Sequence, residues 1–337
     1  MKNKKMNKTT ILFILISMLI ISMSISVYAE AAEYTFTHAA LQPENHIANT
    51  VHQDFIERLT TLSDERIEVN YFPGGVLGDE IEMMEQIQTG SITTARLTGA
   101  PLGNLEEGFM IMNLPFLFSG AEHMLESLRS EKFADLVNEK IIGEGIRPLD
   151  YWWMGVRDLY TTNTKVTSID DVEGLSLRTW QDKYVVKSWK NLGASPTAIS
   201  FDELYMSMQT GTVDGGEGWA ASYVSNGFYE PAPYLTKLGY IQIASAMVIS
   251  EDMWQQLPQD LKEVVAQAAK ENAEFALGVF KDYESEVYDE AREAGAEVLE
   301  VDDISKWQEP IEPLYNEFGE EYGSEYADYI DWVLSIK

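Results

Sequence analysis

Apolar positions along this chain recur in two rhythms, and the alternation between them predicts an α/β architecture. Tyr34 to His38 has apolar residues two apart and predicts a strand. Ile47, Val51, Phe55 and Leu59 recur at helical spacing. Ile67, Val69 and Tyr71 return to strand alternation, and Pro73-Gly74-Gly75 predicts a turn. Asp79 to Thr89 predicts a helix capped by Gly90, followed by a strand from Thr93 to Leu97. This β-α-β-α-β order implies parallel pairing with helices on the faces. A strand from Gly145 to Trp153 leads out of this first unit.

A second series follows. Leu175 to Trp180 predicts a strand, Lys183 to Leu192 and Phe201 to Thr210 predict helices, and Tyr240 to Ile249 a long strand. Pro258 to Ala294 reads as one helix interrupted only by Gly278. At 1.5 Å per residue it would reach about 54 Å, too long for one small domain. Such a helix could span two lobes. With no low-complexity linker, the crossovers between lobes are expected to be short strands, leaving each lobe discontinuous in sequence.

The first residues change the picture of location. Lys2, Lys4, Lys5 and Lys8 precede an apolar run from Ile11 to Ile21, and Val27-Tyr28-Ala29 resembles a cleavage site. The expectation is a signal peptide over residues 1–29, cleaved after Ala29, and a periplasmic mature protein. The chain has no cysteine, which excludes a disulfide framework, a Cys-ligated metal and a lipidated cysteine. Its formal net charge of -31 argues against nucleic acid and anionic membrane surfaces as partners.

Enzyme signatures are missing from the sequence: no G-x-S-x-G, G-x-G-x-x-G, Walker loop or H-E-x-x-H occurs. The four histidines, His38, His46, His52 and His123, do not form a ligand spacing. The expectation is a protein that is not an enzyme and that carries neither a cofactor nor a metal.

Specific motifs then stand in a particular order. Asp171 to Arg178 fits D-x-x-G-L-x-x-R. It is followed by Gly193-Ala194-Ser195-Pro196-Thr197, Phe201-Asp202-Glu203-Leu204-Tyr205 and Gln209 to Glu217. Upstream lie Gly74 to Asp79, Leu114-Pro115-Phe116 and Gly155-Val156-Arg157; downstream lies Trp254 to Pro258. Together they resemble the DctP-type solute-binding proteins of tripartite ATP-independent periplasmic (TRAP) transporters, over roughly Tyr34 to Phe318.

The resemblance implies a two-lobed periplasmic-binding-protein-like α/β fold. Each lobe would be a mixed, mostly parallel sheet flanked by helices, with a long helix spanning both. Lobe I would comprise residues 33–154 and about 244–284, lobe II residues 155–243 and about 285–337. It also implies a carboxylate ligand gripped by Arg178, with Arg157 assisting. A guanidinium suits that task because its paired donors match a carboxylate and its charge is permanent. Phe201 falls beside the ligand in such proteins. Glu217 stands where it would hold an arginine or touch the ligand.

Many sugar-acid binders of this type carry Asn after that Glu, whereas here Gly218 and Trp219 follow. With Trp180 and Trp153 near the two arginines, the pocket is expected to suit a monocarboxylate with an apolar or aromatic part. A uronate-like sugar acid is the alternative. His38 and Glu44 lie on the loop that borders the cleft in this family. The implied partners are the small and large membrane permease subunits of a TRAP transporter, met by a monomer after hinge closure. A ligand sensor feeding a membrane signalling kinase is a further alternative.

Overall fold

The strand alternation at the start of the chain becomes a parallel pair in the computed structural model, which describes residues 32–337. The signal-peptide expectation, Lys2 to Ala29, lies outside the described residues. β1 (Tyr34–Ala39) pairs in parallel with β2 (Ile67–Phe72) and with β3 (Thr94–Thr98). The helix Ile47–Leu62 covers them, burying Val51, Phe55 and Leu59 as its spacing predicts. Asp79 caps the next helix, Glu80–Gln88, in a capping box with Glu82.

Two strands depart from expectation. β4 (Ile146–Thr161) has 16 residues and β8 (Tyr234–Ser250) has 17. They pair antiparallel from Ile146 opposite Ser250 to Thr161 opposite Tyr234, and so run through both lobes. The crossovers are therefore long strands rather than short ones. Only half of each was legible, because β4 is buried almost continuously from Asp150 to Gly155 and shows no alternation there. Its ladder is also broken by a register shift between Trp153 and Val156. Gly155, at φ +125°, sits inside that shift.

β5 (Ser176–Thr179), β6 (Ser195–Ala198), β7 (Gly215–Trp219) and β9 (Glu297–Glu300) complete one sheet, in the order β2-β1-β3-β8-β4-β7-β5-β6, with β9 on β8. β3–β8, β8–β4 and β4–β7 are antiparallel, and the remaining pairs are parallel. The fold is thus the expected two-lobed α/β arrangement, a mixed sheet flanked by helices. The proposed lobe boundaries at 154/155 and 243/244 fall within β4 and β8.

The long helix forms as one piece, Gln259–Glu293, within a residue of the expected ends. Asn272 ties it to lobe I, its Nδ2 donating to Val51 O at 2.8 Å and Asp54 Oδ2 at 2.9 Å. Tyr288 ties it to lobe II, its hydroxyl donating to Asp158 Oδ2 at 2.6 Å. The helix expected over Phe201 to Thr210 is shorter, Leu204–Gln209, with residues 201–203 in a turn. Among the described residues no helix is long and apolar enough to cross a membrane.

Candidate ligand-binding site

Residues far apart in sequence meet where β4, β7 and β5 lie side by side. Arg157 on β4 is directly opposite Trp219 on β7, and Arg178 on β5 is opposite Gly216 on β7. Both arginines border a cavity of about 750 Å³ between the lobes, together with Trp180, Phe201, Gly218 and Trp219. That volume lies within the usual range for small-molecule sites.

The two arginines differ in what the protein gives them. Arg157 Nε donates to Glu217 Oε2 at 2.6 Å and Nη2 donates to Oε1 at 3.1 Å. Its guanidinium carbon sits 3.9 Å from the Trp180 ring centroid. Arg157 is thus neutralised and held flat. Arg178 Nε donates to the backbone oxygen of Ile199 at 2.8 Å, and the Phe201 ring lies 5.7 Å from its guanidinium carbon. Among the described residues no carboxylate lies within 4.0 Å of it, although it is only 4% exposed. Burial pushes its pKa down, partly offset by Glu217. A buried cation without a partner is costly, so the geometry favours an incoming anion.

The lobe I wall is polar. Arg96 on β3 is 3% exposed and borders the cavity. Its Nη2 donates to Glu80 Oε1 at 2.7 Å and Gln42 Oε1 at 3.2 Å. Glu80 in turn accepts from the Thr98 backbone at 3.2 Å and from its hydroxyl. His46 Nδ1 accepts from Ala48 N at 3.1 Å, so the neutral ring carries its proton on Nε2. Burial, then the charge of Arg96, pushes His46 down to about 4. Asn45 and Asn113 on this side, and Ser222 and Asn226 on lobe II, add amides and a hydroxyl.

Of the expected site residues, Arg178, Arg157, Trp180, Phe201, Gly218 and Trp219 come together at the cavity. Four others do not border it. Glu217 is wholly buried behind Arg157, as the holding role requires. His38 lies on β1 rather than on the loop and is wholly buried, bonded to Thr94 Oγ1 and His52 Nδ1, each at 2.9 Å. Glu44 is exposed, while Gln42, Asn45 and His46 of the same loop face inward. Trp153 donates to Gln242 Oε1 at 2.7 Å and borders a separate hollow of about 510 Å³, lined also by Lys281, Glu284 and Tyr288 of the spanning helix. Trp153 and Arg157 are four residues apart, so alternation alone would put them on one face; the register shift between Trp153 and Val156 reverses that, and Met154 borders the cavity instead.

Arg96 and Glu80 escaped the sequence reading. A usable signal existed for Arg96: a lone charge in the strand Thr94–Thr98, which is otherwise buried up to Leu97. Nothing comparable marks Glu80, one acid among 55 Asp and Glu.

The model of the DctP family, described as bacterial extracellular solute-binding protein, family 7, matches residues 36–321. A solute-binding protein of Roseobacter denitrificans is 30% identical over 275 residues, covering 81% of this chain and 84% of that protein. Its crystal structure, a TRAP periplasmic solute-binding protein with bound L-galactonate, superposes with a TM-score of 0.76 at 27% identity. That match covers 89% of this chain and 99% of the other. A TRAP periplasmic solute-binding protein from Ochrobactrum anthropi, with its C-terminus bound in the ligand-binding pocket, gives a TM-score of 0.86 at 28% identity. It covers 91% of this chain and 96% of the other. The matched span takes in both lobes and the arginine-lined cavity, and the chain belongs to the DctP family of bacterial extracellular solute-binding proteins, of the TRAP-transporter type.

Proposed function

We propose that this protein captures a hydroxylated monocarboxylate, a sugar acid, and delivers it to the small and large permease subunits of a TRAP transporter. The observation that carries the reading is Arg178. It is buried at the cavity wall with no carboxylate of its own, beside an Arg157 that already has one. The ligand carboxylate supplies the missing partner, and closure of the lobes excludes water and strengthens the pairing. Differential affinity for the closed form drives that closure.

The polar wall of Arg96, Gln42, Asn45 and Asn113 favours hydroxyls on the rest of the ligand. The L-galactonate of the Roseobacter relative is a ligand of this class. A ligand with an apolar or aromatic part keeps support from Trp219 at the cavity, but one face of Trp180 is occupied by Arg157. The ligand leaves unchanged, as the binding role of the family implies. The protein acts as an exported monomer, its leader cleaved after Ala29.

Thermal stabilisation across L-galactonate, D-glucuronate, 2-oxo acids and aromatic acids tests the reading. Stabilisation by the hydroxylated acids is expected. Stabilisation by the aromatic acids alone would move the ligand to the other class.

A further inference from the structure

One half-buried acid, whose Oε2 atom is buried, has no part in gripping a carboxylate. Glu284 lies on the spanning helix between the ligand cavity and the hollow that Trp153 borders. Its neighbour Tyr283 borders the former, and Glu284 itself borders the latter. Glu284 Oε1 accepts the Tyr288 hydroxyl at 2.9 Å, and the same hydroxyl donates to Asp158 Oδ2 on β4 at 2.6 Å. Asp158 Oδ1 is already committed to the backbone amides of Leu238 and Gly239, both at 2.8 Å.

The other oxygen, Oε2, is buried without a well-aligned partner, and so is the indole nitrogen of Trp219. Both press on Gly155. A β-carbon there would lie 2.6 Å from Glu284 Oε2 and 2.5 Å from Trp219 Nε1. A buried acceptor and a buried donor thus share the glycine at the register shift of β4, and the donor belongs to a ring that borders the ligand cavity.

We propose that Glu284 is a positioning residue for the ligand cavity. Its ionised carboxylate accepts the indole N–H of Trp219 and fixes that ring in the cavity wall, so ligand affinity rises with pH as the carboxyl loses its proton. The inference rests on the ligand-binding reading above for its affinity arm only.

The charged surroundings are mixed. Asp158 faces Glu284 from β4, and Tyr288 faces it from its own helix. Lys237 from β8, with Lys281 and Arg292 from the helix, border that hollow, each paired with another acid: Glu300, Glu122 and Asp289. Burial, then repulsion from Asp158, raises the Glu284 pKa to about 7, with Tyr288, Trp219 and the Val156 backbone amide opposing. The histidines are all pushed below their ordinary value by burial. Among the described residues, Glu284 is thus a group placed to titrate close to neutrality, and the Asp158 carboxyl that faces it is also raised by burial.

Two measurements test this. Without ligand, intrinsic fluorescence followed from pH 5 to 9 should show a transition near pH 7 in the wild type, absent from both Glu284→Gln and Trp219→Phe. A transition that survives Trp219→Phe, or its absence from the wild type, overturns the proposal whether or not any sugar acid binds. With L-galactonate and D-glucuronate as probes, wild-type affinity should rise about threefold to tenfold from pH 6 to pH 8, a change of about 0.7–1.4 kcal/mol. Glu284→Gln should flatten that slope. Equal slopes in the two proteins, or weaker wild-type binding at pH 8, overturn the proposal. A fluorescence transition as expected with no binding of either probe supports the Trp219 contact and overturns the sugar-acid reading instead.

Discussion

The Arg157 guanidinium lies 3.9 Å from the ring centroid of Trp180, so the aromatic face nearest the two arginines is already covered. Glu217 holds an edge of the same guanidinium with two hydrogen bonds. The stacked ring and the paired edge make Arg157 a rigid wall and leave Arg178 as the cation open to a ligand. The division of labour between the two arginines shapes the expected behaviour of their variants.

Arg178→Ala should abolish ligand-induced stabilisation and weaken binding by about 2–5 kcal/mol, the usual cost of losing one partner of a buried charged pair. Arg178→Lys should restore little, because an ammonium cannot present two parallel donors. Titration calorimetry against the ligand found in the panel measures both. Wild-type affinity in Arg178→Ala would refute the grip.

Glu217→Gln should reduce stability more than binding contacts alone would suggest. Glu217 is wholly buried, and its loss strands Arg157, whose side chain is only 21% exposed. The expected loss is on the order of 3 kcal/mol, read as a lower urea midpoint with an unchanged slope. The double variant with Arg157→Met should recover part of it, because both buried charges are then gone.

Gly218→Asn should be tolerated and should tighten binding of hydroxylated acids. A β-carbon at Gly218 meets Tyr160 Oη at 3.3 Å and Arg157 Nη2 at 3.9 Å, close but accommodated by a small shift. The added amide reaches the cavity beside both arginines. A gain in affinity for L-galactonate over an aromatic acid is expected, and a loss for both would show that the site lacks room.

Stability should fall as pH drops below about 6.5. His38 is pushed down to about 4 by burial, and His52 is pushed well below its ordinary value by burial and by His38 and Arg96. Both rings are neutral when folded and protonate near 6.5 when unfolded, so the unfolded chain binds more protons in this window. Their contribution is full above pH 6.5 and fades as pH falls toward 4. Glu284, with a raised pKa, acts in the opposite direction: its contribution is full below 4.5 and is lost as pH rises through 7. Urea unfolding between pH 7 and 5 in the Glu284→Gln background isolates the histidine effect. A flat profile there would contradict the assignment.

How much of this was legible in the sequence depends on the range of the interaction. The long helix was readable to within a residue, because between Pro258 and Ala294 only Gly278 interrupts the run of helix-compatible residues, and helix formation depends on neighbours three and four positions away. The Asp79 helix was readable for the same reason, its cap and box being local. β4 and β8 were half legible. Burial on both faces erases alternation, and the register shift at Gly155 breaks what remains.

The site divides along the same line. The sequence by itself determined the fold class and the absence of enzyme motifs, which follow from local pattern, and singled out the two arginines that border the cavity through the family resemblance that the motif order carries. Tertiary structure alone decided that Glu217 belongs to Arg157, that His38 is locked against His52, and that Trp153 faces away from the cavity. It also brought Arg96 and Glu80 to the opposite wall and set Glu284 beside Trp219 over Gly155. Pairing strands distant in sequence creates these contacts, and which face a side chain takes depends on register and bulges that no local pattern encodes.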